Sequence, residues 1–369
     1  VGHRGAMPTT LVAPSRPQTA ASVDSAAEQR QWRLGRRPGL DVVRGIAILM
    51  VMISHLRHGW RSEGSIGVSI FFVLSGFLIT ALLLEERRDK GRIDFKAFYV
   101  RRARRLLPAM VVMIVVVSAV KAHLGVQWKG SLESVLLYVS NWAYINGVQM
   151  TWVQHTWSLA IEEQFYLVWP VLLVLALRAV RPIRLAPALA VLMLASTAVR
   201  WSLYASGAAP LRIYEGTDAR ADALLAGCAI AVLAHSGIRL PRIDMVAAGW
   251  ALSAAVVVGL IASDLNHNVI GPTVGLPLGV VLLLAGLALR SDGSSGSSGV
   301  SVSAVVAWFG RRSYGIYLWS VPIALSAPYF FPGIDLAGKV ALAVASLGVA
   351  ELSWRLVEKP ILNRGRASR

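Results

Sequence analysis

Hydrophobic positions fall into blocks of about 17–22 residues from residue 40 almost to the end of the chain, with short polar stretches between them. Such blocks match a hydrocarbon core of roughly 30 Å crossed at about 1.5 Å per residue. The pattern predicts about ten helices, over 40–57, 65–84, 106–123, 158–177, 186–205, 219–235, 244–263, 271–289, 304–325 and 336–357. The period-two alternation of an outer-membrane barrel is missing. The expected fold class is all-α, a polytopic membrane protein. The first, fourth and sixth of these blocks are interrupted by ionisable residues, which raises the question of what those residues do.

Composition supports the membrane reading. Of 369 residues, 55% are hydrophobic and 15% charged, and the mean hydropathy is +0.57. The net charge of +17 fits a membrane protein with basic cytoplasmic loops better than a nucleic-acid binder. Arginines crowd the segments that alternate spans place on one side: Arg33–Arg37, the run 85–105, Arg178–Arg184, Arg239–Arg242, Arg290, Arg311–Arg312 and the C-terminal tail. That asymmetry predicts both termini in the cytoplasm and the inner (plasma) membrane of a bacterium as the location. Residues 1–38 read as a disordered basic tail with no cleaved signal peptide. Residues 39–362 form the transmembrane domain, with a Gly/Ser linker at 291–303, and 363–369 a basic tail. The single cysteine, Cys228, excludes an internal disulfide and suits small-residue packing. No metal-ligand set is evident.

The polar interruptions are specific. Arg44 and His55 lie eleven residues apart on the first span. They are therefore roughly 16 Å apart along the axis and face one side. Snorkelling of two end residues is the bland alternative, and Asp41 is one turn from Arg44. In RRARRLLP, Arg101, Arg102, Arg104 and Arg105 suit phosphates, whether of anionic lipid headgroups or of a nucleotide-like cofactor. Ser75 and Gly76 interrupt the second span, either for close packing or to leave room for a narrow ligand. In HTWSLAIEEQFYLVWP, His155, Ser158 and Glu162 share a helical face. Glu163 is turned about 100° away, towards a face that suits a clamp on a neighbouring helix. Asp218 and Asp222 are one turn apart at the start of the sixth span. Arg220 stands between them, so an internal salt bridge is as natural as a ligand contact.

Taken in order, these motifs resemble the bacterial acyltransferase 3 family of integral-membrane O-acyltransferases. The resemblance rests on Arg44 to His55, FFVLSGFLI (71–79), RRARRLLP (101–108), HTWSLAIEEQFYL (155–167) and the Asp218–Asp222 motif. FGRRSYGIYLWSVPI (309–323) and ELSWRLVEKPI (351–361) add to it. It covers residues 35–362 and is to the stand-alone form, without an SGNH domain. It implies transfer of an acyl group, commonly acetyl from acetyl-CoA or another acyl-CoA, to a hydroxyl of a glycan, a lipid-linked sugar or a glycosylated metabolite such as a macrolide.

The resemblance further implies that His55 is the catalytic histidine and Arg44 its partner. CoA phosphates would then meet Arg101, Arg102, Arg104 and Arg105, with the pantetheine arm passing Ser75 and Gly76. Glu162 would orient the histidine or the acceptor. His155, Ser158, Asp218 and Asp222 would face the acceptor. The partners implied are acyl-CoA, that acceptor and the lipid bilayer, with neither nucleic acid nor metal. The competing class is a proton-coupled transporter or flippase of a glycolipid or polyketide, with the same carboxylates as a relay.

Overall fold

The structure is a computed structural model that describes residue 2 and residues 32–35, 37–56, 63–126, 130–238 and 300–367. The spans expected at 244–263 and 271–289 lie outside the described residues, as do most of the N-terminal tail and the side chain of His55.

The described chain is all-α. Its helices are α1 (Pro38–Leu56), α2 (Glu63–Lys90), α3 (Phe95–His123), α4 (Ser131–Leu136), α5 (Ser140–Ile145) and α6 (Thr156–Ala179). After a 3₁₀ turn come α7 (Leu185–Ala205), α8 (Pro210–Glu215), α9 (Thr217–His235) and α10 (Val300–Phe330). The last are α11 (Leu336–Ser353) and α12 (Lys359–Ala367), joined by a π-helical turn at Trp354–Glu358. Five segments among the described residues are long and apolar enough to cross a membrane: Ile66–Lys90, Phe95–His123, Thr156–Ala179, Pro182–Ala205 and Leu336–Arg364. This is a multi-pass membrane protein.

The boundaries shift in instructive ways. Helix α3 begins at Phe95 rather than 106, so the arginine run is wound into the helix. Asp94 caps it by accepting a hydrogen bond from the Ala97 amide at 2.9 Å, and this bond holds the Asp94 carboxyl below the usual carboxylate range. Helix α10 starts at Val300, inside the stretch read as linker to 303. Residues 359–367 continue as helix. Residues 32–35 and 37, at the end of the expected disordered tail, are docked on α2. Arg33 bonds Asp89 at 3.1 Å, the Leu34 amide bonds Glu85, and Trp32 meets the edge of Phe77.

Two close helix crossings organise the interior. Helix α1 packs on α10, where a Cβ at Gly45 would overlap the Val306 carbonyl and one at Gly310 the Asp41 carbonyl. Helix α2 packs on α9 in the same reciprocal way, with Gly76 against Leu224 and Gly227 against Val73. Without a hydrophobic force between helices in lipid, such backbone proximity is a main source of association. It also explains why α1, α9 and α10 tolerate polar residues. The Arg220 and Asp222 side chains of α9 are buried in protein, whereas Val115, Leu167, Leu194 and Val344 on the apolar spans are exposed to the lipid side.

Candidate active site

A cleft opens where α1, α2, α3, α6 and α10 meet. It holds about 720 Å³ of open space including its mouth. Each polar group in it follows from helical phase. Arg44 projects from the lower part of α1 and Ser75 from the middle of α2. Arg102 and Arg105, three residues apart on α3, share one face, while Arg101 and Arg104 project elsewhere. Helix α6 contributes Ser158, Glu162, Glu163 and Tyr166, and α10 contributes Ser313, Tyr314 and Tyr317. Tyr138, from the loop after α4, closes one wall.

The internal contacts are directional. The Ser75 hydroxyl donates to Glu162 Oε1 at 2.8 Å. Ser158 Oγ and Tyr317 Oη lie 2.6 Å apart, and Tyr317 donates to the His155 carbonyl at 2.8 Å. Tyr314 donates to the Leu106 carbonyl at 2.7 Å, tying α10 to α3. The Arg102 guanidinium sits 4.1 Å above the Tyr166 ring. Arg44 Nε is buried with no hydrogen-bond partner among the described residues. Three cations and two carboxylates thus face one cleft, with four tyrosines as its walls.

Tyr138 has a backbone φ of 54°, a strained conformation for a bulky residue. A polar ring holds it there. Gln164 Nε2 donates to the Tyr138 carbonyl at 2.8 Å and to Asn141 Oδ1 at 3.0 Å. Asn141 Nδ2 donates to Thr217 Oγ1 at 3.0 Å, and Thr217 returns a bond to Gln164 Oε1 at 2.7 Å. Three segments distant in sequence are closed into one frame beside the cleft.

Of the residues singled out from sequence, Arg44, Ser75, Arg102, Arg105, Ser158 and Glu162 come together. Among the described side chains, Arg101, Arg104, His155, Asp218 and Asp222 do not line the cleft, nor does Gly76. Arg101 bonds Glu86 at 3.3 Å, and Arg104 is exposed. Gly76 turns its Cα to the Leu224 carbonyl, so the space a side chain would fill is taken by α9. The His155 ring packs on the edge of Tyr317, with centroids 5.4 Å apart. Asp218 forms a two-bond pair with Arg212, at 2.9 and 2.6 Å, and Asp222 pairs with the buried Arg200. Arg220, expected beside those aspartates, instead donates to Ser69 at 2.9 Å and lies over the Tyr214 and Phe72 rings. Glu163, placed by helical phase on a different face, lines the cleft beside Glu162. The cleft is wide enough to wrap two adjacent faces of α6, which a helical wheel does not reveal.

The residues missed from sequence are Tyr138, Tyr166, Ser313, Tyr314 and Tyr317. The last three sit in FGRRSYGIYLWSVPI, where Tyr317 is four residues from Ser313 and three from Tyr314 and so neighbours each of them on the helix surface. Tyr138 had no sequence signal, because its position depends on a loop framed by distant partners.

The acyltransferase 3 model, an acyltransferase domain, matches residues 37–354. The chain belongs to the acyltransferase 3 family. Similar proteins include the Putative peptidoglycan O-acetyltransferase YrhL of Bacillus subtilis (strain 168), 36% identical over 352 residues, 89% of this chain and 55% of that protein. Peptidoglycan O-acetyltransferase OatA of Listeria monocytogenes is 35% identical over 362 residues, 91% of this chain and 58% of that protein. The chain therefore spans little more than half the length of these relatives. No solved structure matches it. Within the family match, the cleft lies wholly inside the acyltransferase domain.

Proposed function

We propose that the chain is a membrane O-acyltransferase that moves an acetyl group from acetyl-CoA to a hydroxyl of a glycan. The observation that carries the reading is the convergence of Arg44, Arg102 and Arg105 on the cleft that also holds the Ser75–Glu162 hydrogen bond. Guanidinium groups grip phosphates through paired, charge-assisted bonds. Arg102 and Arg105 receive the CoA phosphates at the mouth, and the pantetheine arm runs past Arg44 and Ser75 towards His55. Arg101 and Arg104 serve the helix surface instead.

His55 lies eleven residues beyond Arg44 on the same helix, roughly 16 Å further along the axis. Neutral His55 takes the proton of the acceptor hydroxyl as its oxygen attacks the thioester carbonyl. The C–S bond breaks, the ester forms, and the proton passes to the departing CoA thiolate. Glu162, held by Ser75, orients the reacting groups. Ser158, which donates to Tyr317, presents its oxygen as an acceptor for the glycan hydroxyl. The relatives named for peptidoglycan make a cell-wall glycan the first acceptor to assay. Both termini lie on the cytoplasmic side, where the arginine-rich ends gather.

The test uses the full chain in proteoliposomes with acetyl-CoA labelled in the acetyl group and a peptidoglycan fragment as acceptor. Label is expected on the glycan with wild type and absent with His55→Ala, which remains folded and inserted. Transfer by His55→Ala near the wild-type rate would remove the assigned role. Movement of glycan across the bilayer without acetylation would establish a transporter instead.

A further inference from the structure

A carboxylate that does not line the cleft stands behind its wall. Helix α11 turns one stripe to protein. Its buried residues Ser346, Ala350 and Ser353 are four and three apart, as a single helical face requires. An unbroken α-helix would continue that stripe at Val357. The chain instead makes the π-helical turn Trp354–Glu358, in which the Lys359 amide bonds the Trp354 carbonyl five residues back. Pro360 follows at once. It has no amide hydrogen for a bond four residues back, and its ring crowds the Leu356 carbonyl, so a wider turn relieves the conflict. The extra residue carries Glu358 onto the buried stripe, where it is 4% exposed, and leaves Leu352 and Leu356 facing outwards.

Two helices that wall the cleft receive Glu358. The π-helical turn packs against α3, and α11 packs against α10. A Cβ at Gly315 of α10 would stand 3.2 Å from Glu358 Oε1, so the missing side chain admits the carboxylate. Gly315 follows Tyr314, whose hydroxyl is fixed on the Leu106 carbonyl of α3, next to Arg105. Arg105 is the charged group whose field acts on the Glu358 carboxylate, and Glu358 acts back on Arg105. Glu358 Oε1 has no hydrogen-bond partner among the described residues.

Each group answers a need of the other. A buried carboxylate with an unfilled oxygen is costly unless a cation compensates it. Arg105 is repelled by Arg44 and Arg102. Glu162 and Glu163 attract it, but they line the same cleft that a substrate would fill. Among the described residues, Glu358 is the carboxylate that attracts Arg105 from outside the cleft.

We propose that Glu358 is a positioning residue for acyl-CoA. Acting through Arg105 from behind the cleft wall, it holds that guanidinium against the repulsion of Arg44 and Arg102, aimed at the CoA phosphates. The inference rests on reading the cleft as the acyl-CoA site. Removing a negative charge beside a cationic site would by itself tighten the binding of an anion. Positioning acts in the opposite direction, so the sign of the effect separates the two.

The test measures acetyl transfer by the full chain in proteoliposomes for Glu358→Gln, Glu358→Asp, Arg105→Ala and the Arg105→Ala, Glu358→Gln pair, with the unfolding temperature of each. Glu358→Gln is nearly isosteric. It is expected to raise the KM for acetyl-CoA about fivefold or more, with kcat and the acceptor KM within about twofold of wild type. Glu358→Asp, which keeps the charge but withdraws it by one methylene, should give a smaller rise of the same kind. It carries the test by itself if Glu358→Gln does not insert. With Arg105 already replaced by Ala, Glu358→Gln should add nothing, because effects exerted through one group are not additive. An unchanged or lowered KM in Glu358→Gln, including a loss of unfolding temperature alone, would overturn the inference. So would an equal rise in the absence of Arg105. If Arg105→Ala itself leaves the acetyl-CoA KM unchanged, the reading of the cleft fails first. If Arg105→Ala raises it and Glu358→Gln does not, only the role of Glu358 is lost.

Discussion

At the residue scale, the Ser75–Glu162 bond is the contact most open to direct test. A partly buried carboxylate loses a donor if Ser75 becomes Ala, and an unsatisfied group of that kind costs about 1–3 kcal/mol. Ser75→Ala should therefore lower thermal stability in detergent modestly and reduce kcat. Glu162→Gln, which keeps the hydrogen bond but removes the charge, should reduce kcat with little loss of stability. An inactive Glu162→Gln of normal stability would mark the charge as functional; full activity would leave Glu162 a structural partner of Ser75. Helical spacing sufficed to group Ser158 with Glu162, because one element sets their relation. It failed for Glu163, since cleft width depends on neighbouring helices, and for Asp222, whose partner Arg200 comes from a helix paired only by folding.

At the element scale, the reciprocal glycines at the α2–α9 crossing set how closely these helices approach. Gly76→Ala would drive a methyl into the Leu224 carbonyl, and overpacking of this sort costs about 1–3 kcal/mol. Reduced thermal stability is expected, and an unchanged unfolding temperature would contradict the crossing. The cap of α3 gives a pH dependence. Asp94 has its carboxyl lowered by the Ala97 amide, so the cap's contribution is present above the ordinary carboxylate range. It is lost as pH falls through the depressed folded-state value. Hydrogen exchange at the Ala97 amide should accelerate relative to neighbouring amides on acidification through that window, and Asp94→Ala should abolish the difference. The five spans found among the described residues were legible because hydrophobic length encodes them directly. The start of α3 was not, since a run of arginines masks a helix in a hydropathy reading although arginine is itself a good helix former. The short helices α4, α5 and α8 carry too few residues for any periodicity.

At the scale of the whole molecule, the helices place Arg92, between α2 and α3, at the opposite end of the bundle from Ser206, after α7. Both positions are exposed. With both termini in the cytoplasm, Arg92→Cys should react with an impermeant thiol reagent only from the cytoplasmic side and Ser206→Cys only from outside. The reversed result would invert the proposed topology. On that proposed topology the mouth of the arginine-lined cleft would open on the side where acetyl-CoA is made. The measurement that tests the central claim most directly is the KM for acetyl-CoA in two double variants of α3. Arg102→Ala with Arg105→Ala removes the cations that face the cleft and should raise that KM at least tenfold, with the acceptor KM little changed. Arg101→Ala with Arg104→Ala removes the same charge from the same helix and should leave it within about twofold of wild type, because neither side chain lines the cleft. Equal effects of the two pairs, or the reverse order, would contradict the cleft as the acyl-CoA site.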